Sequence, residues 1–108
     1  MNAIFANTLR AALLGALLTT SGAALAHNPM AECKAEGKEQ IQCSGGFSDG
    51  SGAAGVTMDV ISYDEQILVP GKLDGDSKMT FKRPNGEFYV LFDAGPGHVV
   101  EIDHVDIQ

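Results

Sequence analysis

Residues Gly86 to Val105, GEFYVLFDAGPGHVVEIDHV, decide the fold. Phe88, Val90 and Phe92 fall on one parity and Tyr89 and Leu91 on the other. Successive side chains of a strand point to opposite faces, so this run predicts a strand partly covered on both sides. Gly95-Pro96-Gly97 breaks it. Beyond the break Val100 and Ile102 alternate with Val99, Glu101 and Asp103, the rhythm of a second strand with one wet face. The stretch is therefore a hairpin, and it carries His98 and His104, two of the three histidines in the chain.

Upstream of it, Arg83-Pro84-Asn85-Gly86 holds the Asn-Gly pair of a tight hairpin turn, and Ser77 to Lys82 supplies a strand that buries Met79 and Phe81. Asp74-Gly75-Asp76 resembles the start of a calcium loop, but the later ligands and the bidentate Glu are missing, so it reads as a turn. Gln66 to Leu73 is a strand whose Pro70 places it at an edge or bulge, and Val56 to Tyr63 is a half-buried strand before it. The Gly- and Ser-rich run Gly45 to Gly55, GGFSDGSGAAG, has no period and predicts a loop inside one domain. Near the other end, Asn28 as cap, Pro29 at the first helical position, Glu32 in the first turn and Gly37 as a stop predict a helical turn or two carrying Cys33. Six or seven short strands at about ten-residue spacing give an all-β class, a small antiparallel Ig-like sandwich with that helical turn tied on by a disulfide.

The first 26 residues stand apart. Arg10, the apolar run Ala11 to Leu18 and Ala24-Leu25-Ala26 form the charged, apolar and small-residue parts of an export signal, cut after Ala26. The apolar run is shorter than the roughly 20 residues of a membrane span, so no membrane insertion is expected once the signal is removed. No cysteine directly follows the cut, where His27 stands, which argues against a lipid anchor. The expected organisation is a signal peptide over 1–26, a disulfide-tethered segment over 27–44 and a sandwich over 45–108, the last two forming one periplasmic or secreted domain.

From His27 onward there are six Lys or Arg against fourteen Asp or Glu. That balance argues against nucleic acid and anionic membranes, which need basic patches, and suits a cation or a basic partner. The same charge also serves solubility alone. Cys33 and Cys43 form an even pair in an oxidising compartment, where one disulfide is the expected state; a two-thiolate metal site fits the spacing less well.

Ala54 to Val60, Gly71 to Asp76, Met79-Thr80-Phe81, Pro84-Asn85-Gly86 and Tyr89-Val90 together resemble the carboxypeptidase-regulatory-like and Cna-B-like domains, over about residues 45 to 105. The resemblance implies a prealbumin-like sandwich of the kind used in accessory, adhesive and binding modules. Ala26-His27 and Gly97-His98 further resemble the small exported proteins that accompany bacterial nickel and cobalt uptake. That likeness implies a periplasmic metal-binding accessory with Ni(II), Co(II) or Cu(II) as its ion and a membrane transporter or envelope protein as its partner.

The candidate ligands follow. A free amino-terminal His27 offers its α-amine and an imidazole nitrogen as a chelate, suited to Cu(II) or Ni(II); the bland alternative is a mobile terminus. His98 beside its glycine turn is free to join it. His104 shares a face with Val100 and Ile102 and reads better as a core-edge histidine. About six strand residues separate the two, roughly 20 Å, so they cannot share an ion within one chain. Asp93, Glu101 and Asp103 form a possible acidic cation-binding face, or simply a wet strand face. Catalysis has little support: there is no Gly-x-Ser-x-Gly elbow and no dinucleotide loop, and both cysteines are expected to be oxidised. The hydroxyisourate hydrolase uses a prealbumin-like sandwich, but its Tyr-Arg-Gly-Ser does not occur in this chain. Two functions are therefore carried forward, a metal-binding accessory with His27 as primary ligand and, as the alternative, a non-enzymatic interaction module of the cell envelope.

Overall fold

The computed structural model describes residues 27–108; the export signal expected over 1–26 lies outside the described residues. Seven strands follow one another: β1 (Pro29–Glu36), β2 (Gln40–Phe47), β3 (Thr57–Ser62), β4 (Ile67–Val69), β5 (Lys78–Lys82), β6 (Phe88–Asp93) and β7 (Val99–Asp103), with a single 3-10 turn at His104–Asp106. They form two antiparallel sheets, β1-β2-β5 and β4-β3-β6-β7. Ile41, Cys43 and Phe81 from the first sheet and Met58, Val60, Phe88, Val90 and Phe92 from the second make one buried cluster between them. That is the expected all-β sandwich, and the opening hairpin is its β6-β7 pair, with Val90 opposite Ile102 and Phe92 opposite Val100.

Three expectations are corrected. The first concerns the amino-terminal helical turn, because Pro29 to Glu36 is strand β1, paired residue for residue with β2 from Pro29 opposite Phe47 to Glu36 opposite Gln40. Asn28 does not cap a helix; its N–H donates to Ser48 Oγ at 3.0 Å. Half-buried Ala31, Cys33 and Ala35 alternate with exposed Met30, Glu32, Lys34 and Glu36, which is strand period. A short helix forms with difficulty without tertiary packing, whereas pairing with β2 satisfies the backbone and brings Cys33 directly opposite Cys43.

The second correction shortens the predicted loop: Gly45, Gly46 and Phe47 continue β2. A Cβ on Gly45 would sit 2.5 Å from the Phe92 ring and 2.8 Å from Leu73, so glycine stands there because the facing sheet fills the space. The third concerns Asn85-Gly86. It does not close a hairpin, since β5 and β6 belong to different sheets and the segment Arg83 to Glu87 crosses between them. The strand expected over Gln66 to Leu73 is confined to β4, which stops at Val69 before Pro70 and is the expected edge strand, and Asp74 turns the chain by accepting the N–H groups of Asp76 and Lys78 at 2.8 and 3.0 Å.

Cys33 and Cys43 are joined as a disulfide, and the described residues contain no free cysteine. Their sequence separation is 10, and a closed loop of that size restricts the unfolded chain by about 3 kcal/mol. Replacing both by alanine is expected to lower the unfolding free energy by about that amount in urea titrations, and dithiothreitol should reproduce the loss in the unchanged protein.

Candidate functional site

Three local structures meet at one end of the sandwich. The chain enters at His27 and is clamped at once: Ser48 N–H donates to Asn28 O at 2.9 Å while Asn28 N–H donates to Ser48 Oγ. Two hydrogen bonds to one residue fix the backbone next to His27, so the amino-terminal end of the described chain is held against the loop that follows β2. In that loop Asp49 Oδ1 accepts from Ser51 N–H at 2.9 Å and from Ser51 Oγ at 2.6 Å, and Gly50, at φ +88°, makes the turn possible. The other carboxylate oxygen, Oδ2, stands 2.9 Å from His27 Nδ1. The two Ser51 hydrogen bonds are the main reason the Asp49 carboxyl is held below its ordinary pKa, with His27 adding a smaller effect.

The third piece is the turn between β6 and β7. Asp93 Oδ1 caps Gly95 N–H at 2.9 Å, Gly95 and Gly97 take positive φ, and Ala94 N–H donates to His98 O while His98 N–H donates to Gly95 O. His98 Nδ1 lies 3.1 Å from Pro96 O. A carbonyl only accepts, so Nδ1 carries the proton and the Nε2 lone pair of the neutral ring is free. His27, Asp49, Ser51, Phe47, Ala94 and His98 line one surface depression of about 340 Å³. Phe47 also packs on Phe92, ring centroids 6.2 Å apart, and so ties the depression to the core.

The remaining candidates lie elsewhere. His104 sits beyond the far end of β7 in the 3-10 turn, its ring 5.3 Å from that of Phe88 and 5.7 Å from that of Tyr63, with Nε2 3.8 Å from Asp103 Oδ1. That is a packed core-edge position. The acidic face is divided by its own chain: Asp93 caps the glycine turn, Asp103 accepts from Tyr63 Oη at 2.7 and 2.9 Å, and Glu101 is exposed between them. Among the described residues no cluster of three or more His, Cys, Asp or Glu side chains is arranged to hold a metal ion. What the fold provides at the depression is a pair in contact, His27 and Asp49, with His98 on the same surface.

No known family model, curated protein or solved structure matches this chain. The fold and the geometry of the depression therefore carry the functional argument. No described helix is long and apolar enough to cross a membrane. Sequence reasoning missed Asp49 because it lies in a Gly- and Ser-rich run; the signal available was Ser48-Asp49-Gly50-Ser51, which reads as an Asx turn with one carboxylate oxygen left over.

The Tyr63–Asp103 contact gives a separate prediction. The Tyr63 hydrogen bond is the main cause holding the Asp103 carboxyl below its ordinary value, and the same bond pushes the Tyr63 phenol up to about 12. A lowered carboxyl contributes stability above its unfolded pKa that is lost as pH falls through the folded one, and a raised phenol contributes below its unfolded pKa what is lost as pH rises through the folded one. The contact is therefore fully present from above about pH 4 to about pH 10. Tyr63→Phe is expected to lower the melting temperature at pH 7 while leaving it closer to wild type at pH 2.5.

Proposed function

We propose that this protein is an exported metal-binding accessory of the cell envelope, acting without catalysis in the handling of nickel, cobalt or copper. Its primary ligand is His27, exposed as the amino-terminal residue after cleavage behind Ala26, with His98 as partner. The observation that carries this reading is that His27 and His98, remote in sequence, line one depression, with the backbone at Asn28 clamped to Ser48. A clamped terminus loses less freedom on binding an ion than a free one, and a His98 ring whose Nδ1 proton is held by Pro96 O presents Nε2, as metal-bound histidines do. The disulfide is compatible with an extracytoplasmic location, where thiols oxidise. The resemblance to carboxypeptidase-regulatory-like sandwiches and to nickel and cobalt accessory proteins points the same way.

The test is titration of the processed protein, its amino terminus verified by mass spectrometry, with Ni(II), Co(II) and Cu(II) followed by calorimetry. Micromolar or tighter 1:1 binding that weakens in His98→Ala supports the reading; no binding better than millimolar ends it. A second reading, an interaction module docking on an envelope partner, is favoured by edge strand β4, where Ile67 and Leu68 are exposed beside exposed Tyr63. Capture of a partner from envelope extracts that is indifferent to chelator and lost in Leu68→Asp would favour it.

A further inference from the structure

We infer that Asp49 is a metal ligand at this site, adding one carboxylate oxygen to the two nitrogens of the His27 α-amine and His27 Nδ1 in a set that takes Cu(II). The inference rests on the metal-binding reading above and adds to it a carboxylate, a geometry and an ion.

The geometry begins with how the carboxylate is held. Asp49 Oδ1 is saturated by the N–H and Oγ–H of Ser51, so the side chain cannot swing away, and Oδ2 is left directed at the His27 ring, 2.9 Å from Nδ1. An amino-terminal histidine chelates through its α-amine and Nδ1, which closes a six-membered ring with the metal. Nδ1 is thus both the chelating atom and the atom facing Asp49. Two donors bound to one ion at about 2.0–2.1 Å stand about 2.9 Å apart when they subtend a right angle and about 3.3 Å apart at the tetrahedral angle. The observed separation is that of adjacent corners of a square or octahedron. In the metal-free chain the same separation serves an Nδ1–H hydrogen bond to Oδ2.

An ion entering here replaces that hydrogen bond with two metal–donor bonds. The Nδ1 proton moves to Nε2 of the same ring, which faces no described partner, and the α-ammonium releases one proton to solvent. His98, with Nδ1–H donated to Pro96 O, lines the same depression from the β6-β7 turn. Tetragonal sets of nitrogen with one oxygen suit Cu(II) first and Ni(II) second, since copper binds tightest among the divalent first-row ions. The carboxylate also offsets one of the two positive charges of the ion.

The experiment uses the processed protein, Cu(II) as the probe, and the variants Asp49→Asn, Ser51→Ala and His98→Ala. Asparagine keeps the shape and the Ser51 contacts through its carbonyl oxygen, and unchanged circular dichroism verifies the fold. Asp49→Asn is expected to weaken Cu(II) binding about 10–100-fold and to change the electron paramagnetic resonance spectrum of the bound ion, and Ser51→Ala to weaken it less. Wild-type affinity with an unchanged spectrum in Asp49→Asn, while His98→Ala still weakens binding, overturns the assignment of Asp49 and leaves the metal-binding reading standing. Failure of the wild type to bind Cu(II) overturns both.

Discussion

Phe92→Ala is expected to lower the unfolding free energy by about 3–5 kcal/mol, the cost of removing a fully buried ring from a core that collapses only partly around the gap. For a domain of this size that is a large fraction of a total near 5–10 kcal/mol. Phe92 is singled out by what surrounds it. It lies on the inward face of β6, opposite Val100 in the neighbouring strand, and its ring fills the space that a side chain at Gly45 would occupy in the facing sheet. The pair is complementary, large against none. Gly45→Ala alone is therefore expected to destabilise by about 1–3 kcal/mol through overpacking, because the added methyl meets the Phe92 ring and Leu73. In the double variant the methyl enters the space the ring has left, so the two effects should fall short of additivity by about 1 kcal/mol or more. Urea unfolding of the four proteins of this cycle measures the coupling, and strict additivity would show that Gly45 is glycine for some other reason.

The same pair explains why part of the fold was hidden in the sequence. The β6-β7 hairpin was legible because its inward positions are large and apolar, so parity alone separates the faces. Strand β1 was not legible: its inward positions are Ala31, Cys33 and Ala35, too small to mark a buried face, while Asn28, Pro29 and Glu32 carry helix-start chemistry. Long-range pairing with β2 overrides that local preference. Gly45 and Gly46 read as loop because glycine is depleted from strands, yet the reason for glycine at position 45 lies in a ring 47 residues away in sequence, at Phe92. Asn85-Gly86 matches hairpin chemistry but serves a crossing between sheets, a choice that depends on where β5 and β6 find partners.

The site divides in the same way. His27 and His98 could be chosen from residue type and position, and the separation of His98 from His104 follows from strand geometry. What the sequence could not give is that the β2-β3 loop turns back onto the amino terminus. That depends on the Asn28–Ser48 clamp and on Ser51 holding one oxygen of Asp49, neither of which has a periodic signature. Phe47 joins the two levels, lining the depression on one side and packing on Phe92 on the other. Core variants at Phe92 are accordingly expected to disturb the depression as well as stability.

An acetylated glycine added before His27 is expected to reduce Ni(II) and Cu(II) affinity by about 10²–10⁴-fold, the largest functional effect proposed for this chain. With acetylglycine in place, the nitrogen of His27 becomes a peptide N–H with no free amine beside it to anchor an ion, so its proton is not displaced at neutral pH. The imidazole itself, the Asn28–Ser48 clamp, Asp49 and His98 are all unchanged. Only the amine that forms a chelate with Nδ1 is lost, so the ion has no second donor on the same residue. Stability gives the control: His27 is exposed and the sheets begin at Pro29, so the melting temperature of the extended protein without metal should match that of the processed one. The extended protein should also lose the metal-induced rise in melting temperature that the processed protein shows, about 2.7 kcal/mol at an ion concentration one hundred times its dissociation constant. Equal affinity in the two forms would place the ion on side chains alone and remove the role of the cleaved end.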